Sequence, residues 1–309
     1  MIELELAVGS HDWLTPLLPG PTEVGPFRVS FDRTSGIARV TSDPSVASGE
    51  GSLAAHLRRV ASGDKSFVAV PIFMVRRFRH RSFLVLQSSQ LTGLGDLVGK
   101  RVGIANWGTT GNTWSREALR EAGVDSAAVR WVLEGTEHGS NVPPTAERRA
   151  GTGLDWLAAG EIDALISGDP FVHLRRDMPS LRHVCPDFVE AEGAYYKRTG
   201  VFPAHHILLV RREVWARWPE CLHSLYALLA SARREWYESR WRMADEDAPW
   251  GSSDVERSSD AFRGTWYRDG LNFEGNVRTV AALSGQQYRE GLSERPVTAQ
   301  EAFEEFLQT

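Results

Sequence analysis

Two segments far apart in this chain spell the same unit: a short helix, a glycine, an acidic residue and a strand. Residues 52–61 (SLAAHLRRVA) carry an amphipathic helical pattern, Gly63 and Asp64 follow, and residues 67–73 (FVAVPIF) read as a buried strand. Residues 154–159 (LDWLAA), then Gly160, Glu161 and the strand-like run 162–167 (IDALIS), repeat the order. Glycine accepts the left-handed backbone that ends a helix, so each unit predicts a helix, a stop and a return to sheet. Residues 100–106 (KRVGIAN) add a buried strand, followed by the loop 108–113 (GTTGNT) and a helix that closes at Gly123. Strands alternating with helices in this way predict parallel sheets covered on both faces, an α/β fold.

At 309 residues the chain is long for one hydrophobic core, and units in separate halves predict two lobes. Residues 91–100 (LTGLGDLVGK), rich in glycine and polar side chains, read as the outward crossing, and residues 198–203 (RTGVFP) as the return. Lobe one is therefore expected to comprise residues 1–90 and 205–309, and lobe two residues 91–204. After the strand HHILLVRR a long helix is predicted from about residue 219 to 241, with Leu222, Leu225, Leu229, Ala232 and Trp236 as its buried stripe. Residues 244–260 read as a polar, exposed connection, and Thr298 with Glu301 three residues on predicts a capping box.

Composition narrows the function. A net charge of −5 argues against a nucleic-acid partner and against an anionic membrane surface, and no apolar run is long enough to span a bilayer. The N-terminus, MIELELAVGS, has no cationic segment and no small-residue cleavage site, so no signal peptide is expected. Cys185 and Cys221 are too few and too isolated for a disulfide framework. A reducing, cytoplasmic location is the expectation, and the sequence leaves a homo-oligomer open.

The densest chemistry lies in residues 71–85, PIFMVRRFRHRSFLV. Arg77, Arg79 and His80 stand between two apolar runs that must enter a core. Arginine offers a rigid fork for carboxylate or phosphate, and histidine gains or loses a proton near neutrality. The bland alternative is a solvated turn. GTTGNT offers Thr109, Thr110 and Thr113 at a helix start, where free N–H groups favour an anion, or else a simple cap. His206 begins an apolar strand beside His205. Asp12 follows the first strand in GSHDW, where it can orient a histidine or form an Asx turn, and His11 precedes it. Phe73, Trp107 and Phe202 are candidate ring-stacking walls. His11, His80, His205 and His206 show no recognisable metal-ligand spacing, and Glu137-His138 reads as a surface loop. No GxGxxG follows a strand and no lysine sits in a pyridoxal-type context, so neither a metal nor a cofactor is expected.

Six pieces carry a resemblance that runs nearly the whole chain: AVGSHDWLTPLLPG (7–20), PIFMVRRFRHRSFLV (71–85), DLVGKRVGIANW (96–107), LAAGEIDALIS (157–167), GVFPAHHILLVRREVW (200–215) and YREGLSERPVTAQEAF (288–303). In them the chain resembles the 4,5-dihydroxyphthalate decarboxylase family, whose members share the two-lobed architecture of type 2 periplasmic solute-binding proteins. The resemblance implies an α/β fold with a ligand cleft between lobes. It also implies a cofactor-independent carboxy-lyase that protonates a ring carbon of a hydroxylated, phthalate-type acid and releases CO2. On this reading His80, His206 and Asp12 are catalytic. Arg77, Arg79, Thr109, Thr110, Thr113, Trp107, His11 and His205 bind the small aromatic carboxylate. Two alternatives stand beside it: a solute-binding protein for an aromatic or dicarboxylic acid, and another lyase on the same fold.

Overall fold

The chain divides into two α/β units in the computed structural model, which describes residues 1–34, 37, 39–135, 142–247, 249–261 and 272–309. The first unit is Met1–Arg76, Ala204–Ser284 and Ser293–Thr309; the second is Arg77–Pro203 and Gly285–Leu292. In chain order the strands are β1 (Ile2–Ala7), β2 (Thr22–Val24), β3 (Phe27–Asp32), β4 (Ser48–Ser52), β5 (Phe67–Arg76), β6 (Phe83–Leu86), β7 (Arg101–Ile104), β8 (Arg130–Glu134), β9 (Glu147–Arg149), β10 (Ala164–Ile166), β11 (Leu181–His183) and β12 (Ala204–Arg211).

The first unit is built on a mixed sheet of order β2-β3-β1-β4-β12-β5. β1 runs parallel to β3 on one side and to β4 on the other. The chain thus leaves β1 in one direction and returns on its opposite flank, so β1 stands at a topological switch point of the sheet. β12 is antiparallel to both β4 and β5. Pro71 cannot donate to a ladder, and β5 accordingly is an edge strand whose register against β12 slips between Ile207 and Leu208. Leu4, Leu6, Val8, Val70, Leu208 and Val210 form the core with Leu222, Leu225 and Leu229 of the helix Cys221–Asp247. The capping box at Thr298 forms with Glu301. The helix Leu53–Ala61 starts at Ser52, whose side chain accepts from the Ala55 N–H, and stops before Gly63 at φ +77°.

The second unit has the sheet order β11-β6-β10-β7-β8-β9, with β10, β7, β8 and β9 parallel and β6 antiparallel to β10. The helix Thr110–Glu121 follows β7 and is capped by Thr109. Phe83, Val85, Val102, Ile104, Trp107, Trp131 and Leu292 share its main core.

Three expectations need correction. The first passage between units falls between Arg76 and Arg77, so residues 77–90 belong with the second unit. Residues 91–100 lie within that unit, where Asp96 accepts from the Thr92 and Gly93 N–H groups and the Arg182 guanidinium donates to the Leu91 carbonyl. The polar stretch 244–260 is helical over most of its length, as the end of Cys221–Asp247 and as Gly251–Ala261. Polar residues on every face hid the period that marks a helix. Glu137 and His138 lie outside the described residues. No helix among the described residues is long and apolar enough to cross a membrane.

Candidate active site

In the first unit a buried carboxylate joins two histidines. Leu208 opposes Glu50 across the β12–β4 ladder, and His206 lies two residues from Leu208. His206 and Glu50 are therefore diagonal neighbours on one face of the sheet. His11 comes from the turn after β1, and it stacks on Trp13 at 5.8 Å between ring centroids. The Glu50 side chain is 0% exposed, against 13% for His11 and 22% for His206. Its Oε1 meets His206 Nδ1 at 2.6 Å, and its Oε2 meets His11 Nε2 at 2.6 Å. Oε2 also accepts the Gly9 N–H at 2.8 Å.

A carboxylate taken wholly out of water without donors would be costly, and these three donors repair that loss. Burial pushes the Glu50 carboxyl up, but the hydrogen bonds and charges of His11 and His206 outweigh it and hold the group down at about 2. Glycines make the approach possible. A Cβ on Gly9 would lie 3.1 Å from His11 Nε2 and 3.2 Å from Glu50 Oε2, and one on Gly49 would lie 2.4 Å from the Ala7 carbonyl oxygen.

Glu50 is the residue that sequence reasoning missed. β4 reads SGEGS, which has neither β-branched residues nor an apolar alternation to announce a strand. The one available signal was an acid flanked by two glycines. The carboxylate expected to orient a histidine was Asp12. That residue instead opens the 3-10 helix Asp12–Leu17 with its side chain exposed, and its carbonyl accepts the Thr15 hydroxyl. His205 is buried, and it sits at a bulge where Ala204 pairs with Arg76 and His206 with the adjacent Val75.

In the second unit Arg79 meets the first turn of the helix Thr110–Glu121. Arg79 is buried, with Nε donating to the Gly111 carbonyl at 3.0 Å and Nη1 to the Ser82 hydroxyl at 3.3 Å. Burial and the nearby Arg77 charge lower its guanidinium to about 10, so it stays charged at neutrality. Among the described residues no carboxylate forms an ion pair with Arg79. Arg77 is exposed, and its Nη1 donates to the Gly168 carbonyl at 2.9 Å. A hollow of about 360 Å³ beside Arg77 is lined by Ser82, Ser167, Phe171, His183 and Phe188.

The threonines split in role: the Thr109 side chain caps the helix, Thr110 is buried, and the buried Thr113 hydroxyl donates to the Thr109 carbonyl at 2.9 Å. His80 is buried with its ring edge on Tyr195, 5.4 Å between centroids, and its Nδ1 has no hydrogen-bond partner among the described residues. Burial, then the charges of Arg198 and Arg81, lower it to about 4, so it is a neutral imidazole at neutrality.

Of the aromatic walls expected at Phe73, Trp107 and Phe202, the first two are buried packing residues and Phe202 is half-buried. Phe73 is fully buried against Phe303, and Phe202 stacks on Phe78 at 4.8 Å. Trp107 is buried between Trp131 and the Arg116 guanidinium, the latter 3.8 Å from its ring centroid. Among the described residues no group of three or more His, Cys, Asp or Glu is arranged to hold a metal ion.

No family model matches the chain. It is 30% identical over 237 residues to a 4,5-dihydroxyphthalate decarboxylase from Comamonas testosteroni, an alignment covering 71% of each protein. It is 29% identical over 184 residues to the enzyme of the same name from Pseudomonas putida, covering 53% of this chain and 70% of that one. Among solved structures, the alkanesulfonate-binding protein SsuA from Xanthomonas axonopodis pv. citri, bound to MOPS, shares the fold with a TM-score of 0.55 at 14% identity, covering 98% of each chain.

Fold and relatives together define the class: a carboxy-lyase on a two-lobed, periplasmic-binding-protein-like α/β scaffold. Within that class the chain belongs to the 4,5-dihydroxyphthalate decarboxylase family.

Proposed function

We propose that the protein decarboxylates a hydroxylated phthalate-type acid, with His11 and His206 moving the protons. The observation that carries this reading is the Glu50 carboxylate bound to both imidazoles at 2.6 Å. Loss of CO2 from a phenolic ring needs electron density pushed from a para hydroxyl and a proton delivered to the carbon that bears the carboxylate. His11 takes the phenol proton. His206, in its protonated form, gives a proton to the ring carbon. The carbon–carboxylate bond then breaks, its electrons restore the aromatic ring, and CO2 leaves. His11 returns its proton to the phenolate oxygen and solvent recharges His206, so one proton is consumed for each CO2 released. The buried carboxylate stabilises either imidazole when it becomes charged, and such acid–base assistance is worth roughly 10²–10⁴ in rate.

Arg79 is proposed as a holder of a substrate carboxylate. A guanidinium removed from water whose partners among the described residues are a backbone carbonyl and a hydroxyl retains capacity for an anion. His80 is assigned no proton transfer, because burial keeps it neutral.

The test is to incubate the purified protein with a panel of mono- and dihydroxylated phthalates and to measure CO2 release against product. One CO2 per monocarboxylate formed supports the reading. Tight binding without CO2 from any member of the panel refutes it in favour of a solute-binding role.

A further inference from the structure

The two nitrogens that touch Glu50 are chemically different: Nε2 in His11 and Nδ1 in His206. An ionised carboxylate only accepts hydrogen bonds, so each of these nitrogens must carry a hydrogen. We propose that Glu50 is a positioning residue that fixes which nitrogen of each histidine carries the hydrogen facing it, Nε2–H in His11 and Nδ1–H in His206. His11 Nδ1 and His206 Nε2 are then the positions at which each ring takes up or gives up a proton. The catalytic weight of this arrangement rests on the decarboxylase reading above, whereas the tautomers do not.

The Gly9 N–H makes the arrangement open to a sharp test. Backbone nitrogen can only donate, and it donates to Oε2 at 2.8 Å, the oxygen shared with His11. In a Glu50→Gln variant the amide oxygen must therefore take the Oε2 position, since an amide NH2 there would face the Gly9 hydrogen. The NH2 group then occupies the Oε1 position, opposite His206 Nδ1. Two N–H donors cannot share that contact. A neutral His206 must move its hydrogen to Nε2, and the charged ring that gives the proton, which needs Nδ1–H as well, is disfavoured. His11 keeps its tautomer, because its partner is still an oxygen. One isosteric change thus inverts one histidine and spares the other.

The measurement is nitrogen-15 NMR of the histidine side chains in the ligand-free protein, with the His11 and His206 signals assigned by their loss in His11→Gln and His206→Gln. The expected wild-type result is Nε2–H in His11 and Nδ1–H in His206, and the expected result in Glu50→Gln is a switch of His206 alone. Turnover of Glu50→Gln should fall by roughly 10²–10⁴ with KM within about tenfold, since a wrong tautomer behind a carboxylate costs roughly 10⁴ in the serine-protease triad. A wild-type His206 carrying its hydrogen on Nε2 overturns the proposal even if the variant fails to fold. So does a folded Glu50→Gln in which neither histidine changes. If the switch occurs but the wild type turns over no hydroxylated phthalate, the decarboxylase reading falls and the tautomer assignment stands.

Discussion

Replacing His80 by Leu should flatten the acid side of the protein's stability profile. The folded protein holds this imidazole at about 4, against an ordinary value of 6.5. Between those two values the unfolded chain binds a proton that the folded chain refuses, so stability rises with pH across the window. The contribution is fully present above pH 6.5, declines as pH falls, and is spent by about pH 4. A difference of this size is worth about 3 kcal/mol, at roughly 1.4 kcal/mol for each pH unit. His80 is 8% exposed, so solvent screens little of it. The assay is urea unfolding of both proteins at pH 7, 5.5 and 4, with the slopes against urea compared to confirm that the transition is the same. The wild type should lose about 3 kcal/mol more than His80→Leu between the first and last conditions. His56, also buried and also pushed down by burial, acts in the same direction, but it is present in both proteins and cancels. At pH 7 the variant should be no less stable, because the leucine replaces a ring nitrogen that lacks a partner among the described residues. Parallel pH profiles for the two proteins would refute the reasoning and return His80 to the list of groups that exchange protons in the folded state.

His206→Gln should keep the fold and KM within about tenfold while kcat falls by roughly 10²–10⁴, read from CO2 release. Arg79→Leu should weaken substrate binding by roughly 10- to 150-fold, the range of a lost charge-assisted hydrogen bond, measured by calorimetric titration with the substrate. Gly49→Ala should lower stability by more than about 2 kcal/mol in a urea melt. Its Cβ would stand 2.4 Å from the Ala7 carbonyl oxygen, and backbone in a paired strand cannot yield as a flexible side chain would. Dialysis against a strong chelator should leave turnover unchanged; loss of activity restored by a divalent metal would instead call for a metal at His11 and His206.

What could be read in advance was whatever announces itself locally. Gly63, Gly123 and Gly160 stop helices at positive φ, and Leu222, Leu225 and Leu229 face the core at helical spacing. The proton-handling pair was only half legible. His206 stood out at a strand end, but its tie to His11 depends on Glu50, which reaches both through a strand pairing that no short window contains. Trp107 misled because an aromatic beside a helix start suits a ligand wall and a core equally well; burial against Arg116 and Trp131 decided it. The passage at Arg76–Arg77 carries no glycine or proline to mark it, whereas the glycine-rich run at 91–100 owes its composition to local turns.

The short segment Gly285–Leu292 belongs to the second unit although the chain on both sides of it belongs to the first. Glu290 within it receives both Nε and Nη2 of Arg116, at 2.7 and 2.8 Å, and Arg116 is fully buried. A ribosome making this chain delivers Arg116 long before Glu290. Until the last twentieth or so of the sequence emerges, the middle of the protein holds a guanidinium that must either stay wet or be enclosed without its counter-charge, at a cost of roughly 3–5 kcal/mol. The unit encoded in the centre of the chain therefore waits for the tail, and a nascent chain cut short before Glu290 would fail first in a region that had already been fully translated.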